Sequence, residues 1–120
     1  MLNDSQREEF RSKGYLKIPG LITESTRKLM LDQLSDWVEE SRNYDANYGF
    51  DTPNGKARFD LEQSHSSDHP RLRRVANPVD ISEAYQSVLF FGEMPEVVAD
   101  LIGPDVFFHH CKLNNKFPGG

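Results

Sequence analysis

Cysteine is almost missing from this chain. Cys111 is the single one in 120 residues, so no internal disulfide can form, which fits a reducing compartment. Basic charge is also in short supply. Fourteen Lys and Arg face 19 Asp and Glu, for a net charge of −5 and a pI of about 5.3. That balance lacks the basic footprint of a nucleic-acid binder and the polybasic segment that would hold a protein on an anionic membrane. No apolar run approaches the roughly 20 residues of a membrane-spanning helix. The opening, Met1 to Phe10, is too polar for a signal peptide. The sequence therefore predicts a soluble, cytoplasmic protein with a small-molecule ligand, no nucleic acid and no membrane. Several catalytic signatures are missing too: a Gly-rich phosphate loop, a Gly-x-Ser-x-Gly elbow and a Cys-x-x-Cys pair.

What is present suits one folded unit. Apolar residues make up 37% of the chain, yet eight are Phe, more than a disordered chain carries. The expectation is a single domain over residues 1–120, of α+β class. Asn3 with Gln6 reads as a capping box opening a short helix that Gly14 stops. Tyr15 to Ile18 alternates and reads as a strand ended by Pro19-Gly20. Thr23 caps a longer helix, Glu24 to about Ser41, with Met30, Leu34, Trp37 and Val38 as its apolar stripe and Leu29 and Leu31 widening it. Periodicity then fades over residues 42–78, apart from a short strand around Lys56 to Phe59. A loop of that length is either a lid or a flexible linker. A helix capped at Asp80 or Ser82 runs to about Phe91. Another begins at Pro95 and ends near Gly103-Pro104, and a final strand starts near Asp105.

The chemically capable residues lie in that final strand. Successive strand residues face opposite ways. Phe108, His110, Lys112 and Asn114 therefore share one face, and Phe107, His109, Cys111, Leu113 and Asn115 the other. A cation, an imidazole and an amide pointing together suit a small anion; a strand with one wet face would look the same. His109 and His110 diverge on a strand, and His109 with Cys111 makes only two ligands, too few for a metal. A second cluster is Arg71-Leu72-Arg73-Arg74. Arginine suits bidentate carboxylate or phosphate recognition, or local pairing with Asp60, Glu62 or Asp80. On an extended chain Arg71 and Arg73 fall on one side and Arg74 on the other.

Taken together, these stretches resemble the phytanoyl-CoA dioxygenase family. The opening Gln6-x-x-Glu9-Phe10-x-x-x-Gly14-Tyr15-Leu16-x-Ile18-Pro19-Gly20-Leu21 is similar to the family's start. Gly103-Pro104-Asp105-Val106 with His109 to Lys116 is similar to its strand before the metal motif, and Arg73 to Pro78 to a stretch between the two. The resemblance implies helices leading into a double-stranded β-helix, a jelly-roll or cupin-like fold that is incomplete here. It implies hydroxylation of an unactivated C–H bond using Fe(II), 2-oxoglutarate and O₂, with the iron held by a His-x-Asp pair and a distal His. Carried onto this chain, Lys112 and Asn114 match 2-oxoglutarate contacts, Arg74 an upstream basic residue near that co-substrate, and His110 a substrate-pocket position.

One departure bears on activity. Two places after His65, His69, His109 and His110 stand Ser67, Arg71, Cys111 and Lys112, so the His-x-Asp pair is missing. The expectation is thus the N-terminal portion of such a dioxygenase, without iron ligands or catalytic residues and inactive alone. The alternative is a non-catalytic truncated module that acts by binding, or that self-associates through an unpaired strand edge.

Overall fold

The computed structural model describes residues 2–119; Met1 and Gly120 lie outside the described residues. The elements, in chain order, are helix α1 (Asp4–Lys13), helix α2 (Glu24–Ser41), strand β1 (Phe59–Leu61), strand β2 (Leu72–Ala76), a 3₁₀ turn (Pro78–Asp80), helix α3 (Glu83–Leu89), helix α4 (Met94–Ile102) and strand β3 (Lys112–Asn114). The strands form one antiparallel sheet in the order β1-β2-β3. Helices with a small antiparallel sheet make the fold α+β.

The helix boundaries follow from local chemistry. Asn3 Oδ1 accepts the Gln6 N–H at 2.8 Å, and Gln6 Oε1 accepts the Asn3 N–H at 2.9 Å, so α1 opens on the expected capping box. Gly14 closes it in the left-handed region at φ 79°, where a Cβ would be strained. Thr23 caps α2 by accepting the Thr26 N–H, and Ser82, rather than Asp80, caps α3 by accepting the Tyr85 N–H. α4 carries Pro95 in its first turn, where a missing N–H costs nothing.

The core gathers between α2, α3 and the inner face of the sheet. Trp37 stacks on Tyr85 with ring centroids 5.7 Å apart and meets Phe59 edge-on at 6.0 Å. Phe59 in turn stacks on Tyr48 at 4.7 Å. Leu72 and Val75, both 0% exposed, and Val79 complete this cluster. Met30 and Val38 of the α2 stripe pack against it. Leu29 and Leu31 do not widen that stripe as expected; both are exposed, because each lies about 100° around the helix from Met30.

Three expected strands change, and the one around Lys56 to Phe59 forms instead at Phe59–Leu61. Tyr15 to Ile18 forms no strand and runs as irregular chain. Alternation favours an extended backbone, but a strand also needs a neighbour's N–H and C=O groups, and among the described residues none lies alongside. The last strand spans only Lys112–Asn114 rather than starting near Asp105. β2 offers β3 only Arg74 to Ala76 as ladder partners, and beyond Ala76 the chain turns into the 3₁₀ segment. Residues 105–111 are left without a ladder, and Phe107 is 89% exposed. Residues 42–78 hold β1, β2 and a bridge between Tyr48 and Phe59. The polar stretch after β1 is pinned by His65: its Nδ1 accepts the Arg71 N–H at 2.8 Å, and its Nε2 lies 3.0 Å from the carbonyls of Ser41 and Tyr44.

Candidate functional site

The outer face of the sheet collects the polar side chains. Paired residues on antiparallel strands point the same way. The register sets Arg74 opposite Asn114, Val75 opposite Leu113 and Ala76 opposite Lys112. Val75 and Leu113 turn to the core, so Arg74, Ala76, Lys112 and Asn114 share the outer face.

A bulge in β2 recruits one more arginine to that face. Asp60 pairs with Arg74 and Leu61 with Leu72, which leaves Arg73 as the extra residue. Arg73 and Arg74 consequently point the same way, against the expected alternation. Both donate to a single oxygen, Asp60 Oδ2, at 2.7 and 2.6 Å. Arg71 lies 3.6 Å from the Glu62 carboxylate and donates to the Pro118 carbonyl. All three arginines thus have the local partners that competed with a ligand role.

An open groove of about 600 Å³ runs along this face. One wall is Arg74, Ala76, Asn77, His110, Cys111 and Lys112, and the other is the 52–57 turn with Lys56. No Asp or Glu lines it, so Lys56, Arg74 and Lys112 make it a cationic cleft in an acidic protein. The fold therefore brings Lys112, Arg74 and His110 together. Asn114 lies beside them on the same sheet face but outside the groove lining.

Two residues outside the expected set hold this wall. Asn77 is in the left-handed region at φ 44°. Its backbone N–H donates to the Cys111 carbonyl at 2.9 Å, and its Oδ1 accepts the Cys111 N–H at 2.9 Å. Arg58, 2% exposed, extends Nη1 to the carbonyls of Ala76 and Asn77 at 2.9 and 3.0 Å. It also pairs with Asp80 at 3.1 Å and Asp51 at 3.2 Å. A hydrogen bond from Arg58 holds the Asp51 carboxyl below its ordinary range. Arginine ordinarily reads as surface, so burial of Arg58 has no signal in the sequence beyond the acids at 51 and 80.

The chemistry suits an anion better than a metal. Burial pushes the Cys111 thiol up, away from the thiolate a nucleophile needs. The rings of His109 and His110 meet edge to face with centroids 4.4 Å apart. They do not diverge as expected, because the strand rule fails where the ladder is missing. Among the described residues no group of three or more His, Cys, Asp and Glu is arranged to hold a metal ion. The side chains in the groove do not fit Fe(II); its cations suit a small anion such as a carboxylate or phosphate.

Sequence comparison points to oxygenases. No family model and no solved structure matches the chain. It is similar to a hydroxylase and a dioxygenase, each named for a phosphonate. Methylphosphonate hydroxylase of Gimesia maris is 27% identical over 119 residues, 99% of this chain and 41% of the relative. 2-Aminoethylphosphonate dioxygenase of an uncultured bacterium is 24% identical over 115 residues, 96% of this chain and 40% of the relative. The chain thus spans about two fifths of the length of the curated relatives it matches. Their names agree with the oxygenase class that the family resemblance implied, and specify neither metal nor co-substrate. Among the described residues no helix is long and apolar enough to cross a membrane.

Proposed function

We propose that this chain is part of an Fe(II)- and 2-oxoglutarate-dependent dioxygenase of the phytanoyl-CoA dioxygenase type, acting on a small phosphonate-like anion. Lys112, Arg74 and Asn114 hold 2-oxoglutarate in this reading, and His110 faces the substrate. The helices and the three strands enter a double-stranded β-helix. The observation that carries it is the similarity along 99% of the chain to an enzyme named as a hydroxylase of methylphosphonate. The cationic groove supports it from the side of the ligand.

Each residue has a chemical task. The Lys112 ammonium supplies a point charge for one carboxylate. Arg74 spends one Nη on Asp60 and keeps further N–H donors for a second anionic group. Asn114 adds a neutral amide beside them, which orients rather than attracts. Iron, when bound by the whole enzyme, supplies the O₂ chemistry, and its ligands are not among these residues.

Titration calorimetry of the purified chain with 2-oxoglutarate and with methylphosphonate tests the reading. Binding is expected, and Lys112→Ala should weaken it about tenfold, the loss of one charge-assisted hydrogen bond. Equal binding by wild type and Lys112→Ala, or none by either, would overturn the assignment. The chain alone, given Fe(II), O₂ and both compounds, is expected not to consume 2-oxoglutarate; measurable consumption would refute its inactivity.

A second reading is a non-catalytic module that works by binding or strand-edge assembly. The observation favouring it is that β3 pairs with β2 on one side only, leaving the other row of backbone groups open among the described residues.

A further inference from the structure

We infer that Asn77 is a positioning residue for the groove, its carboxamide clamping the segment that carries His110 and Lys112. The inference rests on the anion-binding reading above for what the groove holds. The starting observation is conformational. Asn77 has φ 44° and ψ 61° and is the single non-glycine residue with positive φ among the described residues. A side chain there carries strain that glycine would avoid, although Asn tolerates the region better than most. If the backbone geometry alone mattered, glycine would serve better. What glycine lacks is the carboxamide, and that group is in use.

The carboxamide does the work of a strand. The β2–β3 ladder ends at the pair Ala76–Lys112. One step further, Asn77 donates its N–H to the Cys111 carbonyl and accepts the Cys111 N–H on Oδ1, both at 2.9 Å. The side chain thus supplies the acceptor that a continuing strand would have offered through its backbone. It does so where residues 105–111 have no ladder of their own. The clamp is anchored from the core side, since Arg58 donates to the Asn77 carbonyl at 3.0 Å. Asn77 and Cys111 both line the groove, flanked by Arg74 and Ala76 of β2 on one side and His110 and Lys112 on the other. Releasing Cys111 would free the backbone on which Lys112 and His110 stand, while Trp37, Phe59, Leu72 and Val75 stay packed.

Asn77→Gly separates the side-chain role from the backbone one, because glycine accepts the left-handed geometry without strain. The melting temperature should stay at or above the wild-type value. Amide exchange at Cys111, followed by ¹H–¹⁵N spectra of the full chain, should rise about three- to tenfold, as befits the loss of one hydrogen bond. Calorimetric affinity for 2-oxoglutarate or methylphosphonate should fall by a similar factor. Asn77→Asp keeps an acceptor and should restore protection of Cys111, while its negative charge still weakens anion binding. Unchanged Cys111 exchange in Asn77→Gly overturns the clamp. Unchanged affinity in Asn77→Gly, where wild type binds, overturns the positioning role and leaves the groove reading standing. A wild-type chain that binds neither probe overturns the groove reading and the positioning role with it, and Cys111 exchange then reports the clamp by itself.

Discussion

At the scale of single residues, the largest stake is Arg58. Its guanidinium is buried among two carboxylates and two backbone carbonyls. Removing it strands the carbonyl of Ala76, leaves that of Asn77 with the Asp80 N–H alone, and uncouples β1 from the turn after β2. Arg58→Met should therefore lower stability by about 3 kcal/mol, the low end for breaking a buried pair, because Asp51 and Asp80 keep contact with water. Urea denaturation measures this, and a loss well under about 1 kcal/mol would mean the pairs behave as surface ones. Residue-level reading of the sequence was uneven for a physical reason. Strand alternation gathers Lys112, His110 and Asn114, and the family resemblance alone adds Arg74; the groove lining holds all of these but Asn114. Asn77 and Arg58 were not legible, since a left-handed backbone and the burial of a charge depend on neighbours distant in sequence.

Among elements, caps were the readable part. Asn3, Thr23 and Ser82 each act within one turn of themselves, so local sequence contains the whole interaction. The strands were misjudged at Tyr15 to Ile18 and at 105–111 because a strand is defined by a partner the local sequence does not hold. α1 illustrates how an element with no buried residue is still held: Arg7 donates to both Asp100 oxygens of α4 at 3.1 Å. The hydrogen bond from Arg7, aided by its charge, holds the Asp100 carboxyl below its ordinary value. A carboxyl depressed on folding contributes its full share above the unfolded value of about 3.9 and loses it as pH falls through the lower folded one. Docking of α1 should thus be constant near neutrality and weaken below about pH 4. In NMR spectra the α1 amide shifts should move over that window in wild type; in Asp100→Asn they should sit at the displaced positions already at neutral pH. Identical titrations in both would sever α1 docking from this pair.

The whole molecule is drawn out rather than spherical. Its extents are 50 × 31 × 26 Å and its radius of gyration is 17.0 Å, against about 13.6 Å for a compact chain of this length. The long shape leaves Phe91, Phe107 and Ile102 exposed and the β3 edge open. The self-association reading belongs at this scale. Sedimentation velocity should show a concentration-dependent dimer or larger species if the edge recruits a second chain. A monomer at every concentration would count against it, and replacing Asn114 by Pro, which removes an N–H that faces away from β2, should return any assembly to monomer if the edge is responsible.

The bulge in β2 also lets one strand meet two demands at once. Leu72 and Val75 are both wholly buried although three positions apart, and the extra arginine between them makes that spacing possible. Deleting Arg73 would give the ordinary two-residue spacing, with both apolar residues still inward. The inward packing of Leu72 and Val75 therefore does not call on the Arg73 side chain, which points outward to Asp60. The extra residue thus serves the outer face, setting two guanidinium groups beside one carboxylate.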